Sequence, residues 1–164
     1  MIRVDQEIII PWMKEGSSVL DLGCGDGTLL RHLQESRNMY GYGLEIDQVK
    51  VISSIENGVN VIHADLDAGL NQYFDNDSFD YVIMTQTLQA IQRPDHLLQE
   101  MLRIGREGIV TFPNMGHWKS RLQLGLQGIM PVTRTLPYEW YNTPNIHLCT
   151  LKDFEALCER LNIR

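Results

Sequence analysis

The stretch of residues 19–27 constrains the fold more than any other part of the chain. It begins as a short apolar strand over 19–22 and then turns at Gly23, Gly25 and Gly27, before a leucine-rich segment with helical spacing. Glycine lets the backbone approach a ligand closely, because no Cβ intervenes and a positive φ costs little. The N-terminus of the next helix adds unpaired N–H groups and partial positive charge. The stretch predicts a ligand-binding loop or, more plainly, glycines that only let the helix pack closely on the sheet.

A carboxylate follows this turn at the spacing typical of nucleoside-binding folds. Glu45 ends the next predicted strand, 40–45, about 20 residues on, where doubly wound proteins hold a ribose. It can accept two hydrogen bonds from the ribose hydroxyls. The dinucleotide fingerprint requires a third glycine where this chain has Thr28, which disfavours a nicotinamide-dependent reductase. Asp21 and Asp26 place negative charge beside the turn, which suits a cationic amino-acid ligand better than a pyrophosphate.

Residues 19–27 together with Glu45 resemble motif I of the class I S-adenosylmethionine-dependent methyltransferases. The resemblance implies that S-adenosylmethionine or S-adenosylhomocysteine is the ligand. In a doubly wound sheet, ligands bind at the carboxyl ends of the strands, so the candidates are the residues at and just past each predicted strand. These candidate cofactor-binding residues are Asp21, Gly23, Cys24, Gly25, Gly27, Glu45, Asp65, Leu66 and Gln86.

Several polar residues past the predicted strands have two interpretations. Asp65 and Leu66 suit an adenine, with the carboxylate taking the exocyclic amine and the leucine a ring face, but Asp65 also suits a turn or a cap. Gln86 would face the methyl-donor sulfonium, or it simply begins a helix. Asp47 is typical of a helix N-cap, and Asp67 indicates a turn.

Strands and helices alternate along most of the chain, which predicts a doubly wound, mainly parallel α/β sheet with helices on both faces, a Rossmann-like fold. The length of 164 residues suits one domain, 1–164. A complete methyltransferase sheet has two more strands, so we expect either a truncated chain or a missing tail after Arg164. The predicted helices are 2–13, 28–34, 49–56, 94–104 and 151–161, and the predicted strands are 19–22, 40–45, 59–63, 79–84 and 108–112.

Residues 114–149 are predicted to form a lid or a partner-binding segment. Apolar residues from Trp118 onward have helical spacing, and 128–149 is aperiodic and rich in aromatic residues; so long a loop is either functional or mobile. His117 is the best-placed general base, because histidine titrates near neutrality, although a structural hydrogen bond at a loop corner also explains it. Tyr138 lines a substrate pocket or packs the loop down. These two are the catalytic candidates.

Composition argues against several classes of function. The net charge of −7 and the absence of a Lys/Arg cluster disfavour nucleic-acid binding. No apolar run is long enough to span a membrane, and no signal-peptide pattern opens the sequence. The five histidines have no metal-ligand spacing, so no metal is expected. Three scattered cysteines without a signal peptide predict reduced thiols and a cytoplasmic location.

Later motifs narrow the resemblance to one family. Beside the motifs at 19–27, 41–47, 78–83 and 86–89, the chain has distinctive runs at 112–118, 130–133, 136–138 with 140–141, 143–149 and 153–155. Together they resemble the methionine-biosynthesis protein MetW family over essentially the whole chain, whereas methyltransferases in general share only the first set. The resemblance implies a class I methyltransferase fold with the ligand held by Asp21, Gly23, Gly25, Glu45 and Asp65, and it transfers no catalytic residue.

The resemblance also implies a partner, the homoserine O-acyltransferase MetX, with which the family is associated. Two functions follow as expectations. The first is a regulatory module of methionine biosynthesis that binds S-adenosylmethionine or S-adenosylhomocysteine and contacts MetX through the aromatic loop. The alternative is an active S-adenosylmethionine-dependent methyltransferase on an unknown small molecule, with His117 as the base.

Overall fold

The computed structural model describes residues 1–133 and 135–163. Within these residues, five parallel strands form one sheet in the order β3-β2-β1-β4-β5. From β1 the chain first adds strands on one side, β2 and β3, and then crosses over to add β4 and β5 on the other side. This confirms the predicted α/β fold. The strands are β1 Ser18–Leu22, β2 Tyr40–Glu45, β3 Val61–His63, β4 Phe79–Thr85 and β5 Gly105–Thr111.

Helices cover both faces of the sheet, because neighbouring residues of the central strands point to opposite sides. Leu20 and Val82 belong to the apolar core on one face, and Val19 and Ile83 belong to the core on the other. The core with Leu20 and Val82 includes residues of the helix over 94–104, and the core with Val19 and Ile83 includes residues of the helices over 4–9 and 28–37. The helices are α1 Val4–Ile9, α2 Thr28–Arg37, α3 Gln48–Glu56, α4 Pro94–Ile104, α5 Trp118–Gln127 and α6 Leu151–Arg160.

Two strands begin more than one residue away from their predicted positions. β3 starts at Val61 rather than at 59, because the Val59 N–H donates to the Ser54 carbonyl at the end of α3. β5 starts directly after α4, three residues before the predicted 108. Its first residues pair with β4 through backbone contacts such as Phe79 with Gly105. Local hydropathy did not reveal this pairing, because Arg106 and Glu107 are polar.

The predicted N-terminal helix over 2–13 is wrong in its length and continuity. α1 ends at Ile9, and a 3-10 turn over Ile10–Trp12 follows it. Pro11 lies in that turn, and proline has no backbone N–H to continue an α-helix. α2, by contrast, runs to Arg37, three residues past its predicted end at 34, because its last turn is polar and shows no apolar period.

Gly41 allows β2 to lie close against β1. A Cβ at this position would collide with the backbone carbonyl oxygen of Val19, so we expect Gly41→Ala to lower the free energy of unfolding by about 1–3 kcal/mol. The matched control is Gly125→Ala in α5, where a Cβ meets no atom of the described residues within 4 Å and the change should stabilise by about 0.5–1 kcal/mol. Urea denaturation measures both, and equal stability of the two variants would contradict the expectation.

Candidate functional site

A pocket of about 550 Å³ lies at the carboxyl ends of β1, β2 and β4, where the strand order reverses. This is the position at which doubly wound sheets bind ligands, and the volume is typical of small-molecule sites. Six of the predicted ligand-binding residues line it together, namely Gly23, Gly25, Glu45, Asp65, Leu66 and Gln86.

A smaller cavity of about 210 Å³ adjoins this pocket on the side of α1 and α2. Both cavities are lined by Arg3, Gly23, Gly25 and Thr85. Cys24 lines only the smaller cavity, and the predicted residues Asp21 and Gly27 line neither of the two. The site is therefore elongated, with one end at the start of α2 and the other beside Asp65.

The glycine turn has the left-handed backbone that its sequence predicts. Gly23 and Gly25 have φ values of +79° and +62°, and the N–H of Gly23 donates to the Leu44 carbonyl of β2 at 2.8 Å. A Cβ on Gly25 would meet no atom of residues 1–133 and 135–163 within 4 Å, so the space beside it is open. Gly27 fits the interpretation that the glycines allow close packing, because a Cβ there would lie 3.0 Å from the Ser54 side chain of α3.

Glu45 braces the glycine turn as well as lining the pocket. Its buried carboxylate accepts hydrogen bonds from the N–H groups of Gly25 at 2.9 Å, Ile46 at 3.0 Å and Asp47 at 3.0 Å. A carboxylate has about four acceptor positions, so about one remains for a ligand hydroxyl, where the sequence predicted two ribose bonds. This bracing was not predicted, because it depends on how the turn folds back on β2.

Asp21, on β1 directly before the turn, is fully buried. Its Oδ1 atom has no hydrogen-bond partner in the part of the chain that the structure describes. Burial raises the pKa of Asp21 to about 7, the negative charge of Glu45 adds to the rise, and the positive charge of Arg3 opposes it. A buried carboxyl without full compensation suits a ligand that brings positive charge to the turn.

Cys24 turns its thiol into the core. Its side chain packs against Gly43 and belongs to the apolar cluster beneath α2. Burial, with a further contribution from the charge of Asp21, raises the pKa of the thiol to about 12. The thiolate is the nucleophilic form, so Cys24 serves packing of the loop rather than covalent chemistry.

The loop after β3 confirms that Asp65 caps a turn, and it also places Asp65 at the pocket. Asp65 lines the pocket, and its carboxylate also accepts from the Asp67 N–H at 2.9 Å to cap the 3-10 turn Leu66–Ala68. Asp67 does more than the predicted turn, because its carboxylate accepts from the N–H of Gln92 at 3.0 Å and of Arg93 at 3.3 Å. It therefore ties this loop to the one before α4, a link between distant residues that local sequence did not reveal.

The remaining wall comes from the loop after β4 and from the N-terminus. Gln86 is a left-handed residue with φ +56° and not the start of an α-helix. Arg3 precedes α1 and donates from Nη2 to Thr85 Oγ1 at 2.9 Å, which places a guanidinium between the two cavities. Asp5 accepts from Thr111 Oγ1 at 2.9 Å and fixes α1 over the strand ends. Sequence reasoning missed Arg3, because it belongs to no motif.

The two catalytic candidates lie elsewhere. His117 is the N-cap of α5, where its Nδ1 accepts from the Lys119 N–H at 3.4 Å. Among the described residues that line the pocket, neither His117 nor Tyr138 is found, whereas Pro144 and Asn145 are. The backbone carbonyl of Gln89 holds that end of the segment, since it accepts from the N–H groups of residues 146 and 147. Asp47 is the predicted N-cap of α3.

Several solved structures with a similar fold are described as SAM-dependent methyltransferases. A SAM-dependent methyltransferase from Archaeoglobus fulgidus matches with a TM-score of 0.73 and 17% identity, over 98% of this chain and 68% of that one. One from Aquifex aeolicus matches with a TM-score of 0.67 and 17% identity, over 98% and 80%. The fold is thus that of the Rossmann-like S-adenosylmethionine-dependent methyltransferases.

The particular family follows from sequence comparison. Residues 3–164 match the sequence model of the family described as methionine biosynthesis protein MetW. The chain is also 37% identical over 171 residues to the bifunctional methionine biosynthesis protein MetXA/MetW of Rhodopirellula baltica, a match over 99% of this chain and 27% of that protein. This chain belongs to the MetW family.

The chain is much shorter than the curated relatives it matches. It spans 27% of the bifunctional protein and 53% of ajmaline N-methyltransferase from Rauvolfia serpentina, to which it is 21% identical. Across residues 1–133 and 135–163, no helix combines the length and apolar character that crossing a membrane requires.

Proposed function

We propose that this chain is a module of methionine biosynthesis that binds S-adenosylmethionine or S-adenosylhomocysteine and acts with, or regulates, the homoserine O-acyltransferase MetX. The observation that carries the ligand half is the single pocket in which Gly25, Glu45 and Asp65 meet at the switch point of the sheet. A cytoplasmic location belongs to the same proposal.

The residues of the pocket fit the parts of such a ligand. Leu66 and Asp65 suit adenine, with an apolar surface for the ring and a carboxylate for the amine. Glu45 has about one acceptor position left for a ribose hydroxyl. The glycine turn and the smaller cavity suit the amino-acid end, which carries both signs of charge. Arg3 lines this cavity, and Asp21 is buried in β1 before the turn.

The partner half is supported by a relative. The Rhodopirellula baltica protein carries both names, MetXA and MetW, in one chain. S-adenosylmethionine is made from methionine, so it is a natural end-product signal for this pathway. Such a signal acts only if the ligand has different affinity for two states of the complex.

Binding is favoured over methyl transfer by the placement of the base candidate. An active methyltransferase needs a base or a shaped acceptor site beside the donor. His117 instead caps α5, and Gln86, which does line the pocket, has no basic group. The geometry therefore best supports a ligand-binding module.

A thermal shift assay tests the ligand half. S-adenosylhomocysteine at about 100 times its Kd is expected to add about 2.7 kcal/mol to the stability of the folded state, whereas NAD at the same concentration should leave the melting temperature unchanged. The absence of any shift with both S-adenosylmethionine and S-adenosylhomocysteine would refute ligand binding. Co-purification with the acyltransferase, with and without ligand, tests the partner half, which fails if the two proteins associate under neither condition.

A further inference from the structure

Helix α5 carries apolar side chains on the face that points to solvent. Trp118, Leu122 and Leu126 are 63%, 51% and 77% exposed, and their spacing of four residues places them on one side of the helix. Of the ten residues of α5, all of which the structure describes, only Ser120 is buried. Ser120 lies on the opposite side of the helix, so the side with Trp118, Leu122 and Leu126 points away from the protein. Leu124, which is 48% exposed, lies on the Ser120 side. We call Trp118, Leu122 and Leu126 the α5 stripe.

Basic residues border the α5 stripe on both sides. At 100° per residue, Arg121 lies on one flank and Lys119 on the other, and the Lys119 ammonium lies 5.6 Å from the centre of the Trp118 ring. The chain as a whole has a net charge of −7, so this positive border contrasts with the rest of the protein. It favours a partner with an apolar groove and an acidic rim.

A second copy of this chain fits the stripe less well. A symmetric dimer brings the same surface of each copy together, so both pairs of basic residues would meet like charges. The segment that follows α5 also exposes large aromatic side chains, Trp140 and Tyr141. Trp, Tyr and Arg are the residues most enriched at interface hot spots.

We propose that the α5 stripe is the surface on which the acyltransferase partner docks, through an apolar groove rimmed by Asp and Glu. The identity of the partner rests on the proposed function, whereas the surface is inferred from exposure and charge. Among the described residues that line the two cavities of the ligand site, none belongs to the stripe. The docking surface and the ligand site therefore consist of different residues.

Calorimetric titration of the purified acyltransferase with matched variants tests this inference. Leu126→Glu places a charge on the stripe and is expected to weaken binding by at least about tenfold. Val49→Glu is the control, because Val49 is 72% exposed and belongs to a different helix, α3, and it should bind like the wild type. Circular dichroism and titration with S-adenosylhomocysteine verify that both variants are folded.

A second variant tests the charged border. The double change Lys119→Glu with Arg121→Glu should slow association and remove most of its dependence on salt. If the wild type binds the acyltransferase and Leu126→Glu binds equally well, the docking surface is refuted while the proposed function stands. If the wild type does not bind, both the partner half and the docking surface fall, and the ligand half is judged by its own titration.

Two other occupants of the stripe give distinct results. Light scattering that shows a wild-type dimer, which Leu126→Glu converts to a monomer, would assign the stripe to a second copy. If the wild type sediments with anionic vesicles, and Leu126→Glu abolishes this binding but leaves the affinity for the acyltransferase unchanged, the stripe would be assigned to a membrane surface. Either outcome overturns the proposal.

Discussion

Replacing Glu45 by alanine is expected to weaken binding of S-adenosylhomocysteine roughly 10- to 150-fold and to destabilise the glycine turn. The ligand loses a hydrogen bond to a charged acceptor, which contributes about 1.5–3 kcal/mol. The same change removes the acceptor of the Gly25, Ile46 and Asp47 N–H groups. The turn that forms the pocket wall therefore loses its brace together with the ligand contact.

Calorimetry and urea denaturation separate these two roles of Glu45. Glu45→Gln keeps the shape of the side chain but points an amide N–H₂ at backbone donors, so it should lose nearly as much affinity as alanine. Glu56→Ala is the control, because Glu56 is an exposed acid at the end of α3. If Glu45→Ala lowers stability but binds the ligand as tightly as the wild type, the residue braces the turn and does not hold the ribose.

The sheet could be predicted from sequence because its signals are local. A central parallel strand is a short apolar run. The predicted strand 79–84 is an example, which the structure confirms as Phe79–Thr85. The ends of elements depend on more distant contacts. The first residues of β5 pair with β4 although Arg106 and Glu107 are polar, and no local pattern revealed that pairing.

The same distinction applies to the candidate site. Glu45 and Asp65 could be located from sequence because the carboxyl ends of parallel strands meet at one edge. Arg3 and Asp67 could not, since each acts through a contact far along the chain, with Thr85 and with Gln92. The apolar residues from Trp118 onward have helical spacing, but periodicity alone does not say whether the apolar side of such a segment faces the core or the solvent.

Asp21→Asn is expected to raise stability at pH 8 and to flatten its dependence on pH. Burial raises the pKa of Asp21 from 3.8 to about 7, so between these values the folded state holds a proton that the unfolded state has lost. The contribution of Asp21 to stability is therefore fully present below about pH 4 and is lost as pH rises through about 7. The difference between the two pKa values corresponds to a fall of about 4 kcal/mol at most in the free energy of unfolding.

Urea denaturation at pH 5 and pH 8 measures this effect. Asparagine has the shape of the neutral carboxyl and cannot ionise, so the variant should gain stability over the wild type mainly at the higher pH. Asp95→Asn, at an exposed position in the first turn of α4, is the control and should leave the pH dependence of the wild type unchanged. A wild type whose stability does not fall between pH 5 and pH 8 would contradict the raised pKa.

The same carboxyl should make ligand binding release a proton. S-adenosylmethionine brings a sulfonium and an ammonium to the glycine turn, and these charges favour the ionised form of Asp21. Below pH 7 the binding-competent form is a minor fraction, so affinity should rise by up to about tenfold for each pH unit. Calorimetry in buffers of different ionisation enthalpy counts the released proton, which Asp21→Asn should abolish together with the pH dependence of affinity. Release that persists in Asp21→Asn would show that another group titrates, and the buried carboxyl would then have no part in recognising the cation.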